Sequence, residues 1–287
     1  MSSVVNTNLI SLNAQRNLFS SQSSLATAMQ RLSSGLRINS AKDDAAGLAI
    51  SERMNAQVRG MNVAIRNAND AISLTQTAEG AMSKVGDALQ RMRELAVQSR
   101  NATNSNSDKD SLDKEFGELA KEIQRVIGGT TFNGKSVIGS DAGTLTFQVG
   151  ANTTSNDSID LTTTNMGSAA TLTVVAGTDN TGAGRAVIDS TTNSTTLATV
   201  ITNIDKSIDF VNTQRATMGA AQNRFSSVIS NLQVAVENQS AAKSRITDAD
   251  FAQETANLSR SQILQQAGNA MVAQANQLPQ QVLRLLQ

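Results

Sequence analysis

The chain has 287 residues, equal numbers of acidic and basic side chains, no His, Cys, Trp or Tyr, and Phe as its one aromatic type (Phe19, Phe116, Phe132, Phe147, Phe210, Phe225 and Phe251). These absences exclude serine–histidine and cysteine–histidine catalysis, zinc held by histidine or thiolate, and disulfides, so no metal or other cofactor is expected. Balanced charge without exposed aromatic runs argues against a nucleic-acid partner, no run nears the roughly 18 apolar residues of a membrane span, and scarce aromatics favour narrow helix–helix seams over a thick core.

Residues 1–17 lack the basic start and apolar core of a cleavable secretory signal. That pattern fits a cytosolic protein, and equally one secreted without a cleaved signal. From Leu18, the positions Leu18, Gln22, Leu25, Met29, Leu32 and Leu36 step by four and three. They predict a helix with one apolar stripe broken only by Gln22. Ser40 with Asp43 then resembles a capping pair for a second helix.

That helix is expected from Ala45 to Arg100, about 80 Å long. Met54, Val58, Met61, Ile65, Ala68, Ile72, Thr75, Glu79 and Met82 keep a four-three rhythm, which resumes at Val85, Leu89, Met92 and Ala96. The skip of three between Met82 and Val85 reads as a stammer. Ser107 with Asp110 is the expected cap of a third helix through Leu112, Phe116, Leu119, Ile123 and Val126, stopped at Gly128-Gly129. Alternation in Thr144–Val149 then predicts short strands or a hairpin, with turns at Asn133-Gly134 and Asp141–Gly143.

From Ala151 to Thr199 nearly half of the residues are Thr, Ser or Asn, and Arg185 is the one basic side chain. Thr171–Val175 and Arg185–Ile188 are candidates for a small hairpin; the rest reads as exposed, weakly specified surface. Next, Leu197, Ile201, Ile204, Ile208, Val211, Arg215, Met218, Gln222, Phe225, Ile229, Leu232, Val236 and Gln239 alternate four and three over six heptads, ten of the thirteen being apolar. Such a helix needs partners, and the Ala45–Arg100 and Asp108–Ile127 helices are the obvious ones. Thr247 with Asp250 starts a last helix, with Leu258, Leu264, Ala267, Met271, Leu278, Val282 and Leu285 on its apolar face and a bend expected at Pro279. Two terminal helices with uncovered apolar faces either pair with each other or wait for another copy; the pattern alone leaves both open.

Two motifs mimic chemistry. Gly129 to Ser136 fills every fixed position of a phosphate-binding loop. The motif needs a strand before it and a helix after it, whereas here a helix precedes and the strand-like Val137–Gly139 follows. A helix stop followed by an Asn-Gly turn accounts for it. Asp108, Asp110, Asp113 and Glu115 lack the central glycine and spacing of a calcium loop, and acidic residues suit a helix start.

Longer motifs carry a family resemblance. Arg37–Ile50 (RINSAKDDAAGLAI) closely resembles the N-terminal signature of bacterial flagellins. Gln90–Ser99, Thr131–Gly134, Ile246–Phe251, Ser259–Gly268 and the ending from Pro279 to Leu286 are similar to further flagellin motifs, in the family's order. The resemblance covers roughly residues 1–150 and 195–287. It implies a mainly α fold, a long antiparallel coiled-coil-like helical bundle built from both chain ends with a small β-hairpin-containing central region. It divides the chain into terminal helices (1–44 plus 248–287) forming an inner filament domain, a helical core (45–165 plus 195–247), and a short variable surface insert (166–194).

The resemblance implies no enzyme. It implies a secreted structural subunit of the extracellular flagellar filament, exported unfolded through the flagellar type III machinery and supporting motility. The terminal helices, disordered in the monomer, would assemble the homopolymer, and Leu25, Met29, Leu32, Leu264, Met271, Leu278, Val282 and Leu285 would carry that contact. Implied partners are the cap and hook-associated proteins and an export chaperone in a groove on the C-terminal helix. Arg91, Leu95 and Glu115 match positions of subunit packing and of engagement by an animal Toll-like receptor, and Leu283, Leu285 and Leu286 match a segment read by cytosolic sensors. This chain ends in Gln287 where related proteins have Arg. Thr162, Thr163, Thr164, Ser190, Thr191 and Thr192 are candidate O-glycan acceptors. The competing readings are a hook–filament junction protein, a secreted adhesin or innate-immune receptor ligand, and an enzyme carried on a filament, which the absence of His disfavours.

Overall fold

The computed structural model describes residues 7–285, with side chains described as far as Gln277. Its helices are α1 (Leu9–Ser34), α2 (Ala45–Ser99), α3 (Asn106–Gly129), α4 (Ala170–Ala176), α5 (Ser194–Thr247) and α6 (Phe251–Leu285). Strands β1 (Thr131–Phe132) and β2 (Lys135–Ser136) form one antiparallel pair, and β3 (Thr144–Gln148) and β4 (Ser158–Thr162) another. The fold is therefore mainly α, with long helices from both chain ends and a small β-containing centre. Two compact units form: residues 57–236, and residues 1–56 with 237–287.

In the 57–236 unit, the seam of α2 runs through Met61, Ala64, Ala68, Ala71, Thr75, Ala78, Met82, Val85, Leu89, Met92, Ala96 and Ser99. All are buried, and the steps of three and four never break. The expected stammer is therefore absent. Alanines 64, 71 and 78 occupy the seam where Ile65, Ile72 and Glu79 were expected, and those three stand half-buried beside it. Small side chains bring helix axes closer together. On α5 the heptad Leu197, Ile204, Val211, Met218 and Phe225 is buried. The two helices run antiparallel: Arg93 Nε donates to Asp205 at 2.6 Å, and Gln222 Nε2 donates to Glu79 at 3.0 Å.

The α3 cap is a Ser105–Asp108 capping box, two residues earlier than expected. Ser107 lies within the first turn, where its carbonyl accepts from Ser111 Oγ. Phe116, Ala120, Ile123 and Ile127 form the buried face. After the glycine stop, Asn133 (φ 49°) and Gly134 (φ 78°) make the two-residue turn joining β1 to β2, a pair of left-handed conformations that favours this dipeptide. The phosphate-loop pattern is thus a helix end and a hairpin. Val137–Gly139, expected to be strand-like, is a buried turn.

β3 pairs with β4 from Thr144↔Thr162 to Gln148↔Ser158. Ile159 and Leu161 are buried, while Thr144, Thr146, Asp160 and Thr162 face solvent. Phe147 meets Phe225 edge-on, with ring centroids 5.6 Å apart, which ties this sheet to α5. The hairpin expected from Thr171–Val175 and Arg185–Ile188 does not form. Thr171–Val175 lies in α4, whose Leu172, Val175 and Ala176 are buried, so burial overrides the strand preference of Thr and Val. The segment after α4 lies against α3 as a strap. Ile188 is buried, its N–H donates to Asp113 (2.9 Å) and its carbonyl accepts from Ser99 Oγ (2.6 Å). The expected hairpin segments thus supply Leu172, Val175 and Ile188 to the main core, and the stretch around them, expected to be weakly specified surface, supplies Met166 and Ala176.

Candidate functional site

The unit built from the chain ends packs α1 against α6. Asn8 caps α1: its Oδ1 accepts from Ser11 N (3.1 Å) and its Nδ2 donates to Ala275 O (2.7 Å). The helix thus starts well ahead of Leu18. Residues Ser11, Ala14, Leu18, Ser21, Leu25, Ala28 and Leu32 of α1 are buried or half-buried at heptad steps, as are Glu254, Leu258, Ser261, Gln265, Gly268, Val272 and Ala275 of α6. The expected stripe through Gln22, Met29 and Leu36 is corrected: Ser21 and Ala28 face the seam, and Leu36 lies beyond the helix. A side chain at Gly268 would put its Cβ 3.1 Å from Leu18 Cδ1, so the leucine sits in a notch that the glycine leaves.

The connectors beyond these helices bond to each other. Leu36 bridges to Asp248, Arg37 N donates to Thr247 O (2.7 Å), Arg37 Nη2 donates to Ile246 O (2.6 Å), and Ala249 N donates to Gly35 O (2.9 Å). Two of the sequence motifs, Arg37–Ile50 and Ile246–Phe251, are thus physically one structure. Ile38 is buried, and a Cβ on Gly47 would lie 2.7 Å from its Cδ1. The expected Ser40–Asp43 cap is a turn ahead of the helix. Hydrogen bonds from Ser40 and Asn39 hold the Asp43 carboxyl below its ordinary pKa, and Asp44 caps α2 by accepting from Gly47 N (2.8 Å). Likewise Asp250 caps α6 by accepting from Ala252 N (2.9 Å), whereas Thr247 closes α5.

The large apolar side chains of this unit point mostly outward. Leu9, Ile10, Leu12, Met29, Phe251, Leu264 and Met271 are exposed, with Phe19 at 70% and Ile263 at 65% of full exposure. Of the expected polymerisation residues, Leu25 and Leu32 lie half-buried in the seam, and Met29, Leu264 and Met271 lie on the outer surface. The side chains of Leu278, Val282, Leu283, Leu285 and Leu286 fall outside the described residues. The helical backbone continues through position 279, where a bend was expected. The seam intersperses Leu18, Leu25, Leu32, Leu258 and Val272 with small and polar residues, and the exterior that carries Phe19, Met29, Ile263, Leu264 and Met271 calls for an apolar cover.

In the other unit, Arg91 donates to Glu115 (2.8 Å) and Glu94 (2.9 Å) on the surface, and these bonds, first Glu94 and then Glu115, raise its pKa above the ordinary value. Leu95, expected beside them as a contact residue, is instead fully buried in the core. The acidic cluster is used within the fold. Asp108 caps α3, Asp110 accepts from Ser190 N, Asp113 accepts from Arg185 and Ile188, and Glu115 accepts from Arg91. Among the described residues no acidic group of three or more is placed to hold a metal ion. Of the candidate acceptors, Thr162, Thr164 and Thr191 are exposed and Ser190 and Thr192 half-buried. Thr163 is buried and donates to Gly143 O (3.1 Å), which removes it as an acceptor. Among the described residues no helix is long and apolar enough to cross a membrane.

Residues 5–142 match the family region described as the bacterial flagellin N-terminal helical region, and residues 201–286 match the bacterial flagellin C-terminal helical region. Flagellin of Halalkalibacterium halodurans is 46% identical, over 99% of each chain. Flagellin of Xenorhabdus nematophila is 44% identical over the whole of both, and that of Bacillus subtilis 41% identical over 98% of this chain and 99% of its own. The crystal structure of Bacillus cereus flagellin, 32% identical, aligns with 58% of this chain and 88% of its own at a TM-score of 0.47. With both terminal regions matched and relatives similar from end to end, the chain belongs to the bacterial flagellin family.

Proposed function

We propose that this chain is the structural subunit of a bacterial flagellar filament and joins its neighbours through the outward apolar faces of α1 and α6. The observation that carries this is the outward apolar face of the α1–α6 pair, with Phe19, Ile263, Leu264 and Met271 exposed over a seam that mixes Leu with Ser, Ala and Gly. Covering each such large side chain is worth about 1.5–3 kcal/mol, so a second copy of the chain supplies what the monomer lacks. Ordering of the terminal helices is then coupled to assembly. The role is mechanical, not catalytic, and its place is the extracellular filament.

The family resemblance supports the finer points: export in an unfolded state, a chaperone on α6, and cap and hook-associated proteins at the filament ends. A Toll-like receptor reading rests on exposed Arg91 and Glu115, with buried Leu95 acting only as support beneath them. O-glycans would go to Thr162, Thr164 or Thr191. The test compares the full-length chain with residues 45–247 at high salt, by sedimentation and negative-stain electron microscopy. Filaments from the full-length chain alone support the reading. If neither polymerises even with filament seeds, a junction-protein or ligand role replaces it.

A further inference from the structure

We infer that Arg31 with Glu254 is the side-chain contact that holds the register in which the two terminal helices pair, beyond the backbone bonds that join Gly35 to Ala249 and Arg37 to Thr247 at the helix ends, and that the apolar side chains of the seam do not set it. The inference rests on the filament reading for its consequence and on the α1–α6 geometry for its substance. Arg31 Nη1 donates to Glu254 Oε1 at 3.1 Å, and the Glu254 side chain retains 10% exposure. Among the described residues this is the one ion pair between α1 and α6. The rest of the seam discriminates poorly. Leu18 sits over Gly268, and by the same antiparallel spacing Leu25 sits over Ser261 and Ser11 over Ala275. Small residues thus recur every seventh position of α6. A slip of one heptad would keep Leu18 over a small residue, Ser261 or Ala275.

The ion pair does not survive such a slip. One direction sets Arg31 against Ser261 and carries Glu254 past the end of α1. The other sets Glu254 against Ser24 and carries Arg31 past the start of α6. Either way a carboxylate or guanidinium loses its partner, which costs far more than sliding one apolar contact onto another. Ser11 Oγ to Asn276 Oδ1 (2.7 Å) marks the same register at the far end, but as a neutral hydrogen bond it is cheaper to lose. The role matches the use of single polar residues in coiled-coil seams, where register is gained at a cost in stability. Arg31 Nε, buried and unpartnered, shows that cost.

The test uses the full chain, which has no native cysteine. A Cβ on Gly268 would lie 3.7 Å from Leu18 Cβ, within disulfide range, so Leu18→Cys with Gly268→Cys reports the register by cross-linking. In this background, Arg31→Glu alone and Glu254→Arg alone each lower cross-link yield and filament yield about tenfold, and the double exchange restores both to within about twofold. Single variants that cross-link and polymerise like the background overturn the inference. So does a double exchange as defective as the singles, or a background whose filaments do not cross-link. If the unaltered chain does not polymerise, the filament reading falls, and the consequence drawn here for the register falls with it.

Discussion

Asp113 of α3 grips Arg185 of the strap with both carboxylate oxygens, Oδ1 at 2.9 Å from Nη1 and Oδ2 bonded to Nη2. The same Oδ1 accepts the N–H of Ile188, and the guanidinium lies 5.9 Å above the Phe116 ring. Hydrogen bonding to Asp113 raises the pKa of Arg185 above its ordinary value. Gly117 makes room for this, since a Cβ there would come within 3.1 Å of Arg185 Nε.

Asp113→Ala should therefore destabilise the chain by about 2–4 kcal/mol, because it leaves a partly buried guanidinium and the Ile188 N–H unpaired. Urea unfolding with circular dichroism measures it. Asp110→Ala, which frees only the Ser190 N–H near the surface, should cost under about 1 kcal/mol.

Gly177 ends α4 at φ 81°, and a Cβ there would meet Ala183 O at 2.5 Å. Gly177→Ala combines left-handed strain with a backbone clash and should cost about 2–3 kcal/mol. Hydrogen exchange should show the amide of Ala186, bonded to Val175 O, losing protection first.

Acid should weaken the fold through its capping carboxylates. The Ser105 hydroxyl and N–H hold the Asp108 carboxyl below its ordinary value of 3.8, and Thr191 does the same for Asp189. A depressed carboxylate pKa contributes stability that is complete above the unfolded value and disappears as pH falls through the folded one. Unfolding free energy should drop as pH falls below about 4, and Asp108→Asn should flatten that slope while leaving a constant deficit above about pH 5.

Much of this was legible before the structure. The heptad of α5, the Asn133-Gly134 turn, the glycine stop of α3 and the helical ends follow from patterns large enough to outvote local noise. What stayed hidden has a common cause. Ala64, Ala71 and Ala78 on α2, and Ser21 and Ala28 on α1, hold the seams by being small, whereas periodicity weighted by hydrophobicity selects the larger neighbours Ile65, Ile72 and Met29. Ser105–Asp108 and Ser107–Asp110 share one spacing, and only the fold of the preceding loop chooses between them. The burial of the strap depends on Asp113 and Ser99, far away in sequence. The Arg31–Glu254 pair spans nearly the whole chain, and no local pattern connects its members.

Replacing exposed apolar residues should separate assembly from stability. Phe19→Ser with Ile263→Ser should change monomer unfolding by less than about 0.5 kcal/mol, since both side chains are mostly exposed, yet abolish filaments at high salt. Calorimetry and sedimentation on the same preparation read the two effects.

The most direct test of the account is the accessibility of position 263 before and after assembly. A single Ile263→Cys in the otherwise cysteine-free chain would be labelled with a maleimide in monomer and in filament. The account predicts labelling at least about tenfold slower in the filament, because a neighbouring copy covers α6. Equal rates in the two states would contradict it, since the outward apolar face would then remain uncovered in the assembled structure.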